Sequence, residues 1–599
     1  MSGTPTQDGS TAAAVRPAAR LESSDRGLGT SLDSCEAYEH IDRPTTRLAA
    51  FGVLVALGLG LALRLGLHQE RWWFNPDEGF YHQVATTPSA AMAWKVFHTN
   101  AHPPLHYFIL RWLAHLTDDL STLRQLSLVA GLLGIVAAGW LGGLCGATGR
   151  TKWGIVVGAW FAALLYALAP GLVVQSVTMR PYAICQLALL VALGALLRYL
   201  DSHRRSWLLL YSSASTIAVL QSYASFLIVL ATTLVLLGHL IAGRLKLRRV
   251  VEMAVAGVPI MGVGLWLYFT HVGPYILAAA LPRWASETWL PGQYPRDLLQ
   301  GLALLYGSAA HTYSHFMAWL VLLPAALAIG LSVKHRRGFS GFLVLATCCV
   351  SIAFSLLGLM PLGPSRHSLY LAPVYVCAGG TAIAWMAARL APPPFPASSA
   401  GSRGLRLALI SGLVLLVLLP TGLYLNRIVR TGLPAVLGPS RLEFPVSRQS
   451  VETAASFVRA APVDAWLTDS QTAMLLMPLA RREDRVLAPE PAFGGSHLDV
   501  LGQRMAVLKH WGIREAFVAS DDSIETALRW LTATSGKNDR RVGLVIGGWE
   551  FSEAFRLAMG LRAAKIGPVL AAGDETIAAV LVDPAILRTW SVFRSAKQK

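Results

Sequence analysis

The sequence predicts a mostly α-helical polytopic membrane protein of about 11 transmembrane helices with a C-terminal α/β soluble domain, and three observations predict it. Of 599 residues, 54% are hydrophobic and only 14% charged, with a mean hydropathy of +0.48, too apolar for a soluble fold and too long for one core. Apolar runs of about 20 residues, enough to cross roughly 30 Å of hydrocarbon, recur from residue 48 onward. Past residue 427 they give way to short β-type runs alternating with helical patterns.

Residues 1–45 are rich in Ser, Thr, Ala, Gly and Asp with little periodicity, the composition of a disordered cytoplasmic tail. The first apolar run begins too far along the chain for a cleavable signal peptide. Spans are expected at 48–67, 125–147, 153–173, 181–200, 206–221, 223–243, 251–273, 316–333, 340–361, 368–389 and 405–427. The segment after Pro104 is shorter and carries Arg111, so it reads as an interfacial or re-entrant helix, with a twelfth span as the alternative. Residues 46–427 thus form the membrane domain and 428–599 a second, soluble one.

The net charge of +17 does not indicate a nucleic-acid partner, because the Lys and Arg residues fall mostly in short loops between apolar segments. Arg43 and Arg47, Arg150 and Lys152, Arg198 to Arg205, Arg244 to Arg249, and Lys334 to Arg337 occupy alternate connections. By the positive-inside rule these face the cytoplasm, which puts the Asp77 loop, the loops ending at Arg180 and Arg366, segment 274–315 and the C-terminal domain outside. Five cysteines lie in apolar segments and Cys35 in the tail, without metal-type spacing, so no disulfide framework is expected.

The most informative loop is Trp72 to Trp112. It holds adjacent carboxylates Asp77 and Glu78, then Tyr81, then His102-Pro103-Pro104-Leu105. Acids in a first helical turn are common, since they favour the helix dipole. A carboxylate at a low-dielectric boundary can also have a raised pKa and act as a general base. The pair could instead hold a divalent cation with help from His82, His98, His102 or His106, although no HExxH-like pairing is present.

Two outward loops carry one arginine each at the mouth of a span: Arg180-Pro181-Tyr182, and Arg366 followed by His367. Arginines there commonly snorkel to water. These two stand on the carboxylate side, where positive charge is sparse, and arginine is the side chain that best forks onto phosphate. Trp284, Trp289 and Tyr294 in the third outward region fit either an interfacial belt or a groove for a sugar or isoprenoid chain.

In the C-terminal domain, strands are expected at Val463 to Thr468, Arg485 to Ala488, Glu515 to Ala519, Val542 to Ile546 and Thr576 to Val582. The domain lacks GxGxxG and a P-loop, and Gly494-Gly495 and Gly547-Gly548 read as turns.

The order Asp77-Glu78 with Tyr81, His102-Pro103-Pro104-Leu105, Arg180-Pro181-Tyr182 and Arg366-His367-Ser368-Leu369-Tyr370-Leu371 resembles the GT-C glycosyltransferases. It is most similar to the branch of protein O-mannosyltransferases and bacterial aminoarabinose transferases, over residues 48 to 390. The resemblance implies an inverting, hexosyl- or mannosyl-type transfer of a sugar from a polyprenyl-phosphate donor to a lipid, glycan or protein acceptor, outside a bacterial plasma membrane. It implies Asp77 as base or acceptor-orienting carboxylate, Glu78 as its neighbour in the site, Arg180 and Arg366 as donor-phosphate ligands, and Tyr81, His102, Tyr182 and His367 as substrate contacts. No cofactor is firmly implied. The Pro-rich connection Ala391 to Gly401 and the C-terminal domain match no acceptor class. A transporter or flippase is the rival reading. It calls for ionisable residues in mid-span and related, helix-breaking halves, and no clear internal repeat is visible.

Single cysteines introduced beside Asp77 and after residue 428 should both react with a membrane-impermeant maleimide applied from outside intact cells. Labelling of either only after permeabilisation contradicts the orientation.

Overall fold

The computed structural model describes residues 43–68, 76–86, 90–97, 102–117, 119–147, 152–280, 294–335 and 338–390, and beyond these only short pieces that include five strands. The expected tail before residue 43, almost all of the span at 405–427, the strand at 485–488, and Trp284 and Trp289 lie outside the described residues.

The membrane part is a run of helices: α1 (Arg43–His68), α2 (Pro76–Thr86), α3 (Ala90–Phe97), α4 (Leu105–Ala114), α5 (Leu120–Ala147), α6 (Lys152–Leu168), α7 (Pro170–Ser176) and α8 (Tyr182–Ser202). It continues through α9 (Arg205–Gln221), α10 (Ser225–Ile241), α11 (Leu247–Leu267), a π-type extension (Tyr268–Ala280), α12 (Leu298–His335), α13 (Phe339–Leu356), a 3₁₀ turn (Arg366–Leu371) and α14 (Ala372–Leu390). Every expected span from 48–67 through 368–389 coincides with helix. Among the described residues, seven helices are long and apolar enough to cross a membrane, or eight if the bent α6–α7 pair is one span. Helices α9 and α10 rise only ~26 Å each, slightly less than the hydrocarbon thickness. The ten residues of α4 rise ~15 Å, so the segment after Pro104 does not span.

The expected span at 153–173 is broken, and a second helical run, α12, is interrupted just before the expected span at 316–333. Helices α6 and α7 meet at 64°. Ala169 precedes Pro170 and is extended there (ψ 112°), as the proline ring demands of its neighbour. Arg64 of α1, fully buried, donates to Ala167 O across this break and to Gly60 O in its own helix, each at 3.1 Å. Within α12, Ser314 leaves helical geometry (φ 72°), and its Oγ accepts from Met317 N as the cap of the second half. The sequence separated these halves as an outer helix and a span.

Helices α5, α6 and α14 form the centre of the bundle, with α1 and α8 packed around them. Close approach depends on small residues: a Cβ on Gly142 would lie 2.4 Å from the Gly158 carbonyl oxygen. The bundle has two chemically different ends. At one, Tyr199, Arg205 and Arg248 converge on Glu252. The length of α8, ~30 Å, separates that basic end from the end carrying Tyr182.

The five described strands are β1 (Ala465–Asp469), β2 (Glu515–Ala519), β3 (Val542–Gly547), β4 (Leu570–Ala571) and β5 (Ile577–Val582), ordered β2-β1-β3-β5-β4. β1 pairs in parallel with β2 and β3, while β5 is antiparallel to β3 and β4. Parallel neighbours need crossover connections, which the helical patterns between these runs would provide. The two-residue edge strand β4 has no signal in the sequence.

Candidate active site

The loop helices fold around a buried carboxylate. Pro76 opens α2, a position where its missing N–H costs nothing, and Asp77 and Glu78 follow in the first turn. The Glu78 side chain is 1% exposed. Arg124, near the start of α5, forks onto it: Nε donates to Oε1 at 3.1 Å and Nη2 to Oε2 at 3.0 Å. The Met179 backbone N–H donates to Oε1 at 2.6 Å. Three donors from two distant segments thus satisfy the carboxylate, and breaking a buried pair of this kind costs about 3–5 kcal/mol. Asp77 shares this turn by its backbone; its side chain lies outside the described residues.

The start of α5 is itself fixed. Asp119 caps it, accepting from the Thr122 N–H at 2.9 Å and from the Thr122 hydroxyl at 2.8 Å. Burial pushes the Asp119 carboxyl up, but hydrogen bonds from Ser121 and Thr122 outweigh it and hold the group below its usual range. The cap sets where Arg124 emerges, one turn further on.

Above the clamp sits an aromatic cluster. Tyr81 is 1% exposed, one turn after Glu78 on α2; it stacks on Tyr107 at 4.8 Å between centroids and meets the edge of His106 at 5.3 Å. His102 lies 6.0 Å from Tyr81 and 5.6 Å, edge-on, from Tyr182. Pro103 and Pro104 start α4, which buries His106, Tyr107, Leu110 and Ala114 and leaves Phe108 and Trp112 exposed. That is the one-sided pattern of an interfacial helix. Burial lowers the His106 pKa to about 3, against a smaller upward pull from the Met179 backbone, so the ring is neutral near pH 7.

Arg180 follows Met179 and is 2% exposed; its carbonyl accepts from Ser127 Oγ at 3.3 Å. Arg366 and His367 are half-buried on the 3₁₀ turn. Gly363 supplies the positive φ (142°) that starts the turn, and its carbonyl accepts from Ser308 while its N–H donates to Ser368. Gln186 on α8 donates to Leu369 O at 2.6 Å, which ties this turn to the helix that begins after Arg180 and Pro181.

Glu78, Tyr81, His102, Arg180 and Tyr182 therefore meet at one end of the bundle, and the turn bearing Arg366 and His367 docks on the same helix, α8. Sequence reasoning missed Arg124, Gln186 and Arg64, and treated His106 only as one of several loop histidines. Arg124 had a signal: a cation near the N-terminus of a helix, on the side expected to face outward, opposes both the helix dipole and the positive-inside bias unless an acid holds it. Among the described residues, no three His, Cys, Asp or Glu side chains group as for a metal ion.

No protein-family profile and no curated protein matches the chain. Among solved structures it is similar to ArnT from Cupriavidus metallidurans in the apo state, with a TM-score of 0.49 and 15% identity over 90% of this chain and 98% of that one. The same protein bound to undecaprenyl phosphate matches with a TM-score of 0.49 and 15% identity, over 89% and 97% of the two chains. An oligosaccharyltransferase from Archaeoglobus fulgidus, tethered to an acceptor peptide, matches with a TM-score of 0.48 and 13% identity over 83% of this chain and 69% of that one.

The His106 shift has a pH signature. Its folded pKa, about 3, lies below the unfolded value of 6.5, so the unfolded chain binds the extra proton in between and stability is lost as pH falls through that window. The thermal midpoint of the detergent-solubilised protein should fall between about pH 6.5 and pH 4, and should fall less in His106→Leu, which cannot titrate. Parallel curves for the two proteins would contradict a neutral, buried His106.

Proposed function

We propose that the chain is a GT-C-type membrane glycosyltransferase that moves a sugar from a polyprenyl-phosphate donor to an acceptor hydroxyl on the extracytoplasmic side. The observation that carries the reading is convergence. Segments separated by up to about 300 residues, each bearing one of the motifs Asp77-Glu78, His102-Pro103-Pro104, Arg180-Pro181-Tyr182 and Arg366-His367, come to one end of a helical bundle. A transporter would place its ionisable groups along a path through the bundle. Here the acid, the arginines and the aromatic cluster gather at one mouth.

The chemistry follows from the residue types. The acceptor oxygen attacks the anomeric carbon, its proton passes to the Asp77 carboxylate, and the bond from carbon to the phosphate oxygen breaks to release polyprenyl phosphate. A single displacement inverts the anomeric centre. Asp77 as base is worth about 10²- to 10⁴-fold. Glu78, with both oxygens engaged, is a positioning residue: it holds Met179, and through it Arg180. Arg180 stands just ahead of α8, where the backbone dipole adds to the guanidinium charge, and Arg366 opens the 3₁₀ turn; the two cations stabilise the departing phosphate. Acceptors of lipid, glycan or protein type all present such a hydroxyl. A divalent cation beside Asp77 would substitute for part of this electrostatic work.

The direct test is release of polyprenyl phosphate from a labelled polyprenyl-phosphate-hexose by the purified chain. Arg180→Ala and Arg366→Ala should each weaken donor binding or turnover far more than expression, with lysine rescuing only in part because it lacks the planar fork. Unchanged donor kinetics in both variants would favour snorkelling. Asp77→Asn should cut transfer by at least about 10²-fold in a folded, donor-binding protein. Near-normal transfer by that variant would remove Asp77 as the base.

A further inference from the structure

One helical turn beyond Tyr182 on α8, Gln186 is 2% exposed. Its Nε2 donates to Leu369 O, which fixes the amide plane and directs Oε1 elsewhere. That oxygen is buried, and no described residue donates to it. Gln221, the last residue of α9, is fully buried, and neither its Oε1 nor its Nε2 has a partner among the described residues. Helices α8 and α9 form an antiparallel hairpin turning at His203 and Arg204, and Gln186 and Gln221 are equally far along their helices from that turn, about 24 Å. The two carboxamides therefore stand at one level of the hairpin, and Gln186 touches the Arg366 turn through Leu369.

Buried amides without partners are uncommon because each loses its water on folding and gains nothing in return. Two at the same depth, beside a candidate active site, are suited to a ligand that brings its own hydrogen-bonding groups. Together they present acceptors and a donor, the complement of sugar hydroxyls, which both donate and accept. The charge balance narrows the class further. Glu78 is fully engaged by Arg124 and Met179. Along their own segments the neighbours are neutral, the Tyr182 phenol one turn before Gln186 and, one turn past Gln221, the Ser225 hydroxyl that pairs with Cys185 Sγ at 3.0 Å, and the charged residues of the adjoining Arg180 and Arg366 segments are cationic. A cationic amino sugar would find no counter-ion among them.

We propose that Gln186 and Gln221 form a hydroxyl-recognition subsite that selects a neutral, polyhydroxylated sugar on the lipid phosphate. This rests on the glycosyltransferase reading and names its substrate class. A site built to bond a hydroxyl discriminates strongly against the analogue that lacks it, because its own buried groups are then left unpaired.

The test uses the full chain in lipid nanodiscs with three probes: a synthetic polyprenyl-phosphate-hexose, the matching deoxyhexose donors, and polyprenyl phosphate without a sugar. In Gln186→Met and Gln221→Leu, kcat/KM for the hexose donor should fall by about tenfold or more and the preference for hexose over deoxyhexose should shrink. In Gln221→Leu, affinity for bare polyprenyl phosphate should not change and the thermal midpoint should hold or rise, since an unpaired buried amide is gone; Gln186→Met also frees the Leu369 carbonyl on the Arg366 turn and is read for sugar preference alone. Gln221→Leu breaks no described hydrogen bond, so it carries the test if Gln186→Met fails to fold. Unchanged kinetics and preference would mean that the amides hold ordered water only, and would overturn the proposal. An equal loss for bare polyprenyl phosphate in Gln221→Leu would overturn it too, by moving the effect to the lipid or phosphate. Wild-type protein that neither binds polyprenyl phosphate nor releases it from any donor overturns the underlying reading, a result distinct from both.

Discussion

Glu78 is held by groups 46 and 101 residues away in sequence, the Arg124 guanidinium and the Met179 backbone N–H, and all three are buried or nearly so. A carboxylate in such a place tolerates no loss of partner, because the group left behind would be charged and dry. The clamp therefore fixes three segments at once: the acidic turn of α2, the start of α5, and the Met179-Arg180 backbone ahead of α8. The aromatic cluster of Tyr81, His102, His106, Tyr107 and Tyr182 builds on that frame. The same frame sets where Asp77 and Arg180 stand relative to each other.

Inside a membrane each backbone polar group needs an internal partner. A helix can be interrupted there only if something else satisfies the carbonyls that the break exposes. Arg64 does this for α6 and α7 through Ala167 O, while within α12 the Ser314 hydroxyl accepts from the Met317 N–H and so caps the exposed N–H end of the second half. The break at Ala169 matters for the site, because the short helix α7 turns the chain toward Met179 and thus toward Glu78. A buried arginine in the first span is in this way part of the same arrangement as the acid at this end of the bundle.

The long apolar segments were legible because their length and composition leave few alternatives in a bilayer, and α1, α5, α6 and the longer helices from α8 to α14 follow them. The break at Pro170 was not read, although Pro170 in mid-span is itself a sign that the residue before it will leave the helix. At the site, Glu78, Arg180, Arg366 and the prolines before α4 could be found by type and position, since acids, lone arginines and proline pairs are rare at a membrane mouth. Arg124 and Gln186 could not be found by motif. Their meaning lies in partners distant in sequence, and the Met179 backbone donor has no side-chain identity to read. In the C-terminal part, alternating β-type runs marked four of the strands described, whereas the pairing order β2-β1-β3-β5-β4 depends on crossovers that composition does not encode.

The most direct test is a double-mutant cycle on the clamp, with Glu78→Leu, Arg124→Met and the pair together, read by thermal midpoint and by polyprenyl phosphate release. Each single change leaves one buried polar partner unmatched and should destabilise the protein by about 3–5 kcal/mol, while the double change removes both charges and should recover much of that loss without restoring turnover. Additive losses, or single variants as stable and active as the parent, would contradict a site assembled on Glu78.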